Sequence, residues 1–133
     1  MNNKKMGNRF EAELCELLAA EGFWAHNMAQ NAAGQPADVI AVKNTEAYLI
    51  DCKVCSQGKF PFSRIEDNQE TAMELWKDCG NGNGWFALKF DDDIYMVDMG
   101  SMRNARNHRS VLTQRDTAEM YGFTLEEWLW SRT

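Results

Sequence analysis

The sequence is poor in residues that by themselves commit a chain to a chemistry. It holds two histidines, two prolines and four cysteines among 133 residues. No stretch approaches the roughly 20 consecutive apolar residues that cross a bilayer, which excludes a helical membrane anchor and any membrane partner on that account. His26 and His108 lack partners at metal or triad spacing. Of Cys15, Cys52, Cys55 and Cys79, only Cys52 and Cys55 lie close together, and no second Cys-x-x-Cys or His-x-x-x-His completes a tetrahedral zinc set. The four thus read as thiols in a reducing compartment. Positive charge is scarce too. With 14 basic and 20 acidic side chains the formal charge is −6, which argues against coating nucleic acid by bulk electrostatics. The polar first ten residues contain no apolar stretch of the signal-peptide kind, so a cytoplasmic protein is expected.

What is present suffices for a core. Hydrophobic residues make up 44 % and charged residues 26 %, so one domain over residues 1–133 is expected. Phe10, Leu14, Leu17 and Leu18 recur at helical spacing and predict a first helix from about Arg9 to Glu21, capped by Asn8 and ended by Gly22. Phe23 to Met28 reads as extended. Ala37–Val42 and Ala47–Cys52 read as strands around a polar turn at Asn44-Thr45. A Ser63-x-x-Glu66 capping box opens a second helix to about Asp78, and Trp85–Phe90 and Ile94–Met99 form another hairpin. The last third reads as helical in pieces, with a second capping box at Thr124-x-x-Glu127. The expected class is α/β, a mixed central β-sheet flanked by helices.

The first hairpin carries the chemistry. With a two-residue turn, Asp38 falls opposite Asp51, Ile40 opposite Leu49 and Val42 opposite Ala47; an odd-length turn would put Cys52 opposite Asp38 instead. Lys53 projects from the same face, because side chains on a strand repeat every second residue. Facing carboxylates repel, so the pair requires a shared proton or a bound cation. Hard oxygen ligands suit Mg²⁺ or Mn²⁺. A metal beside an ammonium neutralises the charge of a phosphodiester transition state, with Lys53 holding or deprotonating the attacking water. The bland alternative is a solvated hairpin with an incidental ion pair.

Gly34-Gln35-Pro36-Ala37-Asp38, then Val39-Ile40-Ala41-Val42, then Leu49-Ile50-Asp51-Cys52-Lys53, resembles the signature of the PD-(D/E)XK nucleases. Ala37 separates the proline from Asp38, and aspartate stands at 51 where glutamate is commoner. Phe60-Pro61-Phe62-Ser63-Arg64-Ile65, Asn68-Gln69 and Gly84-Trp85-Phe86-Ala87-Leu88 look like the RecU-type Holliday-junction resolvases, although the tight hairpin leaves no space for their inserted stalk. The resemblance covers about residues 7–99, leaving a C-terminal helical extension over about 100–133. It implies a restriction-endonuclease-like core, a homodimer, and Mg²⁺-dependent cutting of DNA, branched or junction DNA in particular, by a bacterial or phage-encoded protein. Asp38, Asp51 and the backbone carbonyl of Cys52 would bind the metal, with Glu11 reaching it through water. Lys53 would act on the water, with Glu11 and Gln69 in support.

Glu11 also has a structural reading, as the third residue of a helix capped by Asn8. Gln69 shares a stripe with Met73 and Trp76, a polar group pointing where apolar ones point. Lys4, Lys5, Arg9, Arg103, Arg106 and Arg109, with Lys59 and Arg64, are the candidate phosphate contacts. Alternatives from the same residues are a nicking, repair or restriction-type nuclease of this fold, and a catalytically silent DNA-binding module.

Overall fold

The computed structural model describes residues 3–28 and 36–133, without the side chains of residues 3 and 4. Gly34 and Gln35 of the nuclease-like run and the side chain of Lys4 therefore lie outside the described residues. Helix α1 spans Asn3–Ala20 and leads into strand β1, Trp24–Asn27. Strands β2 (Val39–Lys43) and β3 (Glu46–Cys55) form the first hairpin, followed by β4 (Lys59–Pro61) and a 3-10 turn at Phe62–Arg64. Helix α2 (Asp67–Asp78) crosses to the hairpin of β5 (Trp85–Phe90) and β6 (Asp93–Asp98). Then come α3 (Met99–His108), β7 (Val111–Thr113), the short α4 (Gln114–Asp116), a π-helical turn at Thr117–Tyr121, β8 (Phe123–Thr124) and α5 (Leu125–Trp130).

Six strands make one sheet in the order β1-β2-β3-β5-β6-β8, while β4 and β7 form a separate ribbon. Only the β3–β5 pair in that sheet is parallel, because α2 is the crossover that returns the chain in the same direction. Each face is covered. Phe10, Leu14 and Leu18 of α1 pack with Trp128 of α5 against Val39, Ala41 and Ile50. Met73 of α2 and Met102 of α3 pack with Phe60 and Leu112 of the ribbon against Leu49, Phe86 and Leu88. Burying each such side chain contributes roughly 1.5–3 kcal/mol before entropy is counted. Gly84, just before β5, lets Met73 of α2 lie against the backbone: a Cβ there would collide with the Met73 side chain. The expected mixed sheet between helices is what the chain forms. No helix among the described residues is long and apolar enough to cross a membrane.

Several boundaries differ from expectation. Helix α1 begins at Asn3 and not near Arg9; Lys4, Lys5 and Met6 are good helix formers, and the single Gly7 costs only about 1 kcal/mol. Asn8 is therefore inside the helix, and Glu11 is not at its N-terminus. Gly22, at φ +88°, ends it as expected. Ser63 sits in the 3-10 turn, and the N-cap of α2 is Glu66. The C-terminal third contains β7 and β8, too short for any periodicity to betray them.

Candidate active site

The site is built by a turn. Asn44 and Thr45 both adopt positive φ (53° and 67°), as in the type I′ turns whose twist suits a two-residue hairpin. The turn fixes the register: Val39 pairs with Ile50, Ile40 with Leu49 and Val42 with Ala47. The ladder ends at Val39–Ile50, and Asp38, the next residue, brings its carboxyl against that of Asp51. Backbone bonds hold Asp38 in place, its N–H donating to Ile50 O (3.1 Å) and its carbonyl accepting from Met28 N (2.8 Å).

Asp51 lies on central strand β3 and is 0 % exposed. Lys53 extends its ammonium to 3.2 Å from Asp51 Oδ2, and Asp38 Oδ2 accepts from Cys52 N at 2.7 Å. Gln69, the third residue of α2, organises the rest. Its Nε2 donates to Asp51 Oδ1 (3.1 Å), while its Oε1 accepts from Lys53 Nζ (3.3 Å) and Glu66 N (3.2 Å). One amide thus closes the helix start and orients both the acid and the amine. Glu11 reaches Asp38 from α1, on the opposite face of the sheet, and is hydrogen-bonded to it.

The electrostatics are those of a crowded acid cluster. Burial, then the Asp38 charge, raise the Asp51 carboxyl well above the usual range, with Lys53 pulling it back. Burial, then the charge and hydrogen bond of Asp38, push Glu11 up to about 8. Burial also pushes the Cys52 thiol far up, so it is no nucleophile at neutral pH.

Asp51 Oδ2 is buried and accepts no aligned hydrogen bond, even with the Lys53 ammonium at 3.2 Å. A buried carboxylate oxygen whose one nearby donor is misaligned is under-satisfied, and a hard divalent cation would satisfy it. Among the described residues no three His, Cys, Asp or Glu side chains form a metal cluster. Side-chain ligation would therefore fall to Asp38 and Asp51, and the residues present fit an Mg²⁺-like ion completed by backbone oxygen and water.

Lys59 and Arg64 line a cleft of about 510 Å³ together with Cys52, Val54, Ser56 and Gln57. Arg64 Nη1 donates to Val54 O (2.7 Å), and its guanidinium lies over the Phe60 ring (5.6 Å). Lys5 and Arg9 are exposed on α1. The three remaining candidate arginines are paired with acids. Arg103 bonds Glu70 (2.9 Å) and Glu74, Arg106 bonds Glu70 (3.0 Å), and Arg109, just past α3, bonds Asp116 (2.9 Å). They knit α3 to α2 and to the following turn and are not brought together with the acid pair. One feature escaped the sequence reading: Trp24 and His26 stack on each other at the surface of β1. Their i, i+2 spacing in an edge strand was the available signal.

A family model described as archaeal Holliday junction resolvase (Hjc) matches residues 2–130. The crossover junction endodeoxyribonuclease Hjc of Methanocaldococcus jannaschii is 28 % identical over 93 residues, which are 70 % of this chain and 65 % of that relative. The chain thus spans a little under two thirds of that relative's length. The solved structure of Archaeoglobus fulgidus Hjc, a Holliday junction resolvase from an archaeal hyperthermophile, superposes with a TM-score of 0.71 at 17 % identity, covering 92 % of this chain and 99 % of that one; the fold is shared. These matches bear on two expectations. The nuclease superfamily is as expected, the family shown is Hjc, and closeness to the RecU-type resolvases is not shown; the match also runs through the C-terminal third. A bacterial or phage origin finds no support among these archaeal relatives. Matched along residues 2–130 and folded as its relatives are, the chain belongs to the archaeal Holliday junction resolvase (Hjc) family.

Proposed function

We propose that this protein is a Mg²⁺-dependent endonuclease that cuts four-way DNA junctions as a homodimer. The observation that carries the reading is the buried Asp38–Asp51 pair with the Lys53 ammonium 3.2 Å from Asp51. A binding module gains nothing from placing acids there, and the family's Holliday-junction chemistry supports the choice of substrate. Asp38, Asp51 and the Cys52 carbonyl would hold the Mg²⁺, or Mn²⁺ in its place, with Glu11 reaching it through water. When bound, the ion neutralises charge developing on the phosphodiester and orients its oxygens.

The chain's own groups do the rest. Gln69 fixes Lys53 Nζ by its Oε1 and Asp51 by its Nε2, so the ammonium cannot swing away. An ammonium has three N–H donors, and one directed at the attacking water or at a non-bridging phosphate oxygen holds the reactants in line. Glu11 stands beside Asp38 as a proton-exchanging carboxyl. Lys59 and Arg64, at the rim of the cleft, would receive the flanking phosphates, and Lys4, Lys5 and Arg9 would extend that contact along the start of α1.

The test is to incubate the purified protein with four-way junction and linear duplex DNA, with and without Mg²⁺, beside Asp51→Asn. Expected are paired symmetric cuts in the junction alone, only with metal, and a loss of at least about a thousandfold in the variant. Cutting of every DNA alike would make it a nuclease blind to branches, and binding without cleavage would make it a silent module.

A further inference from the structure

On edge strand β1, Trp24 is 62 % exposed, an unusual position for the largest apolar side chain. It is held in place: its ring lies 5.8 Å from that of His26, with 15° between the planes. Register decides which way the pair faces. Trp24 pairs with Val42 and His26 with Ile40, and residues opposed across strands share a face. Ile40 in turn pairs with Leu49 of β3, and Leu49, Asp51 and Lys53 alternate along that strand, so the stacked rings stand on the face that presents Asp51 and Lys53. The strand ends at Asn27, opposite Val39, and the next residue, Met28, donates its N–H to Asp38 O (2.8 Å). The other side of β1 is packed, with Ala25 against the α1 cluster. Helix α2 covers the site face over Leu49 and Ile40 and leaves Trp24 and His26 to solvent.

We propose that Trp24 and His26 form a stacking platform for an unpaired nucleobase of the DNA strand whose phosphate lies at the carboxylate pair. Residues along one strand face are about 6–7 Å apart, so the platform begins one or two nucleotide steps from Asp38. Its neighbours on that face, Ile40 and Val42, are apolar; the recognition is therefore of a ring's flat surface, not of a phosphate. Every base has such a surface, so the platform is indifferent to sequence and selects for a base that is out of its pair, as at a branch point. This rests on the nuclease reading above and adds what sets structure preference.

The experiment uses the full chain in Ca²⁺ buffer, which permits binding without cutting, and a junction carrying 2-aminopurine at the nucleotides next to the cut site. Protein should quench that fluorophore by stacking. Trp24→Ala should abolish the quenching and weaken junction binding about tenfold, while leaving the slope of log affinity against log salt unchanged, because no phosphate contact is lost. Trp24→Phe should retain most of both. Equal junction affinity and quenching in parent and Trp24→Ala would overturn the platform while junction cutting by the parent left the nuclease reading intact. A salt slope altered by Trp24→Ala, or a variant that loses self-association in the absence of DNA, would also overturn it, the latter by assigning the rings to a second copy of the chain. If the parent neither binds nor cuts the junction, both readings fall together.

Discussion

Asp51 is held where a carboxylate is unwelcome. It is fully buried, opposes Asp38, and has an oxygen without an aligned donor. Its carboxyl is raised well above the ordinary range by burial first and by Asp38 second. The sign follows: a group whose folded pKa is raised contributes stability below its unfolded value and loses it as pH rises through the folded value. Metal-free protein is therefore destabilised by this residue towards alkaline pH. Asp51→Asn keeps an oxygen for Gln69 Nε2 and removes the charge. In EDTA at pH 8 it should raise Tm by roughly 3–8 °C, equivalent to about 1–2 kcal/mol. On the proposed function, added Mg²⁺ should raise Tm of the parent but not of the variant, because only the parent would offer it both carboxylates. Thermal melts of both, with and without Mg²⁺, check this. A variant melting lower than the parent in EDTA, with both responding alike to Mg²⁺, would show that the acid is there for structure.

Helix α2 links the site to the rest of the molecule. Its inner stripe sends Gln69 to Asp51 and Lys53 and Met73 into the core, while one flank offers Glu70 and Glu74 to Arg103 and Arg106 of α3. The Arg106 hydrogen bond, and then that of Arg103, hold Glu70 below the usual glutamate value of 4.5 despite some burial. A lowered folded pKa contributes stability above the unfolded value and loses it as pH falls through the folded one. Glu70→Gln should cost about 1 kcal/mol at pH 7, as networks of partly exposed ion pairs do. That difference should shrink steadily as pH falls below 4.5, which urea midpoints across an acid series measure. A gap independent of pH would mean that packing and not charge holds α2 to α3. This clamp was not legible in the sequence, because arginine and acid stand 33 residues apart in one pair and spacing says nothing at that range. The first hairpin was legible, because a two-residue turn fixes parity and parity fixes which side chains share a face. Gln69 was legible as a polar residue in an apolar stripe. Its second task, accepting from Glu66 N, was hidden because Ser63 looked the better cap. Strands β4, β7 and β8 are two or three residues long and carry no period. Their pairing is decided by tertiary contacts such as Phe60 with Leu112.

At the scale of the whole molecule, each chain offers one Asp38–Asp51–Lys53 set, whereas a four-way junction is resolved by two cuts placed symmetrically. A two-fold dimer brings two copies of the same site to related strands. Net charge adds a constraint to the proposed function: a chain at −6 has no diffuse positive surface for DNA, so in the proposed dimer the contacts would gather near the cleft of each copy, where Lys59 and Arg64 lie. The expected mass in solution is twice the 15.3 kDa of the chain, read by sedimentation equilibrium. The stronger test mixes subunits. Parent chains and tagged Asp51→Asn chains, unfolded together, refolded and separated by tag, give a dimer with one working site. On a four-way junction in Mg²⁺ that mixed dimer should nick one strand and leave its counterpart whole, while the parent dimer cuts both. If the mixed dimer makes both cuts at a rate comparable to the parent, each site serves either strand and the paired arrangement is wrong. If the chain sediments at its single mass while cutting symmetrically, the two incisions are successive visits by a monomer.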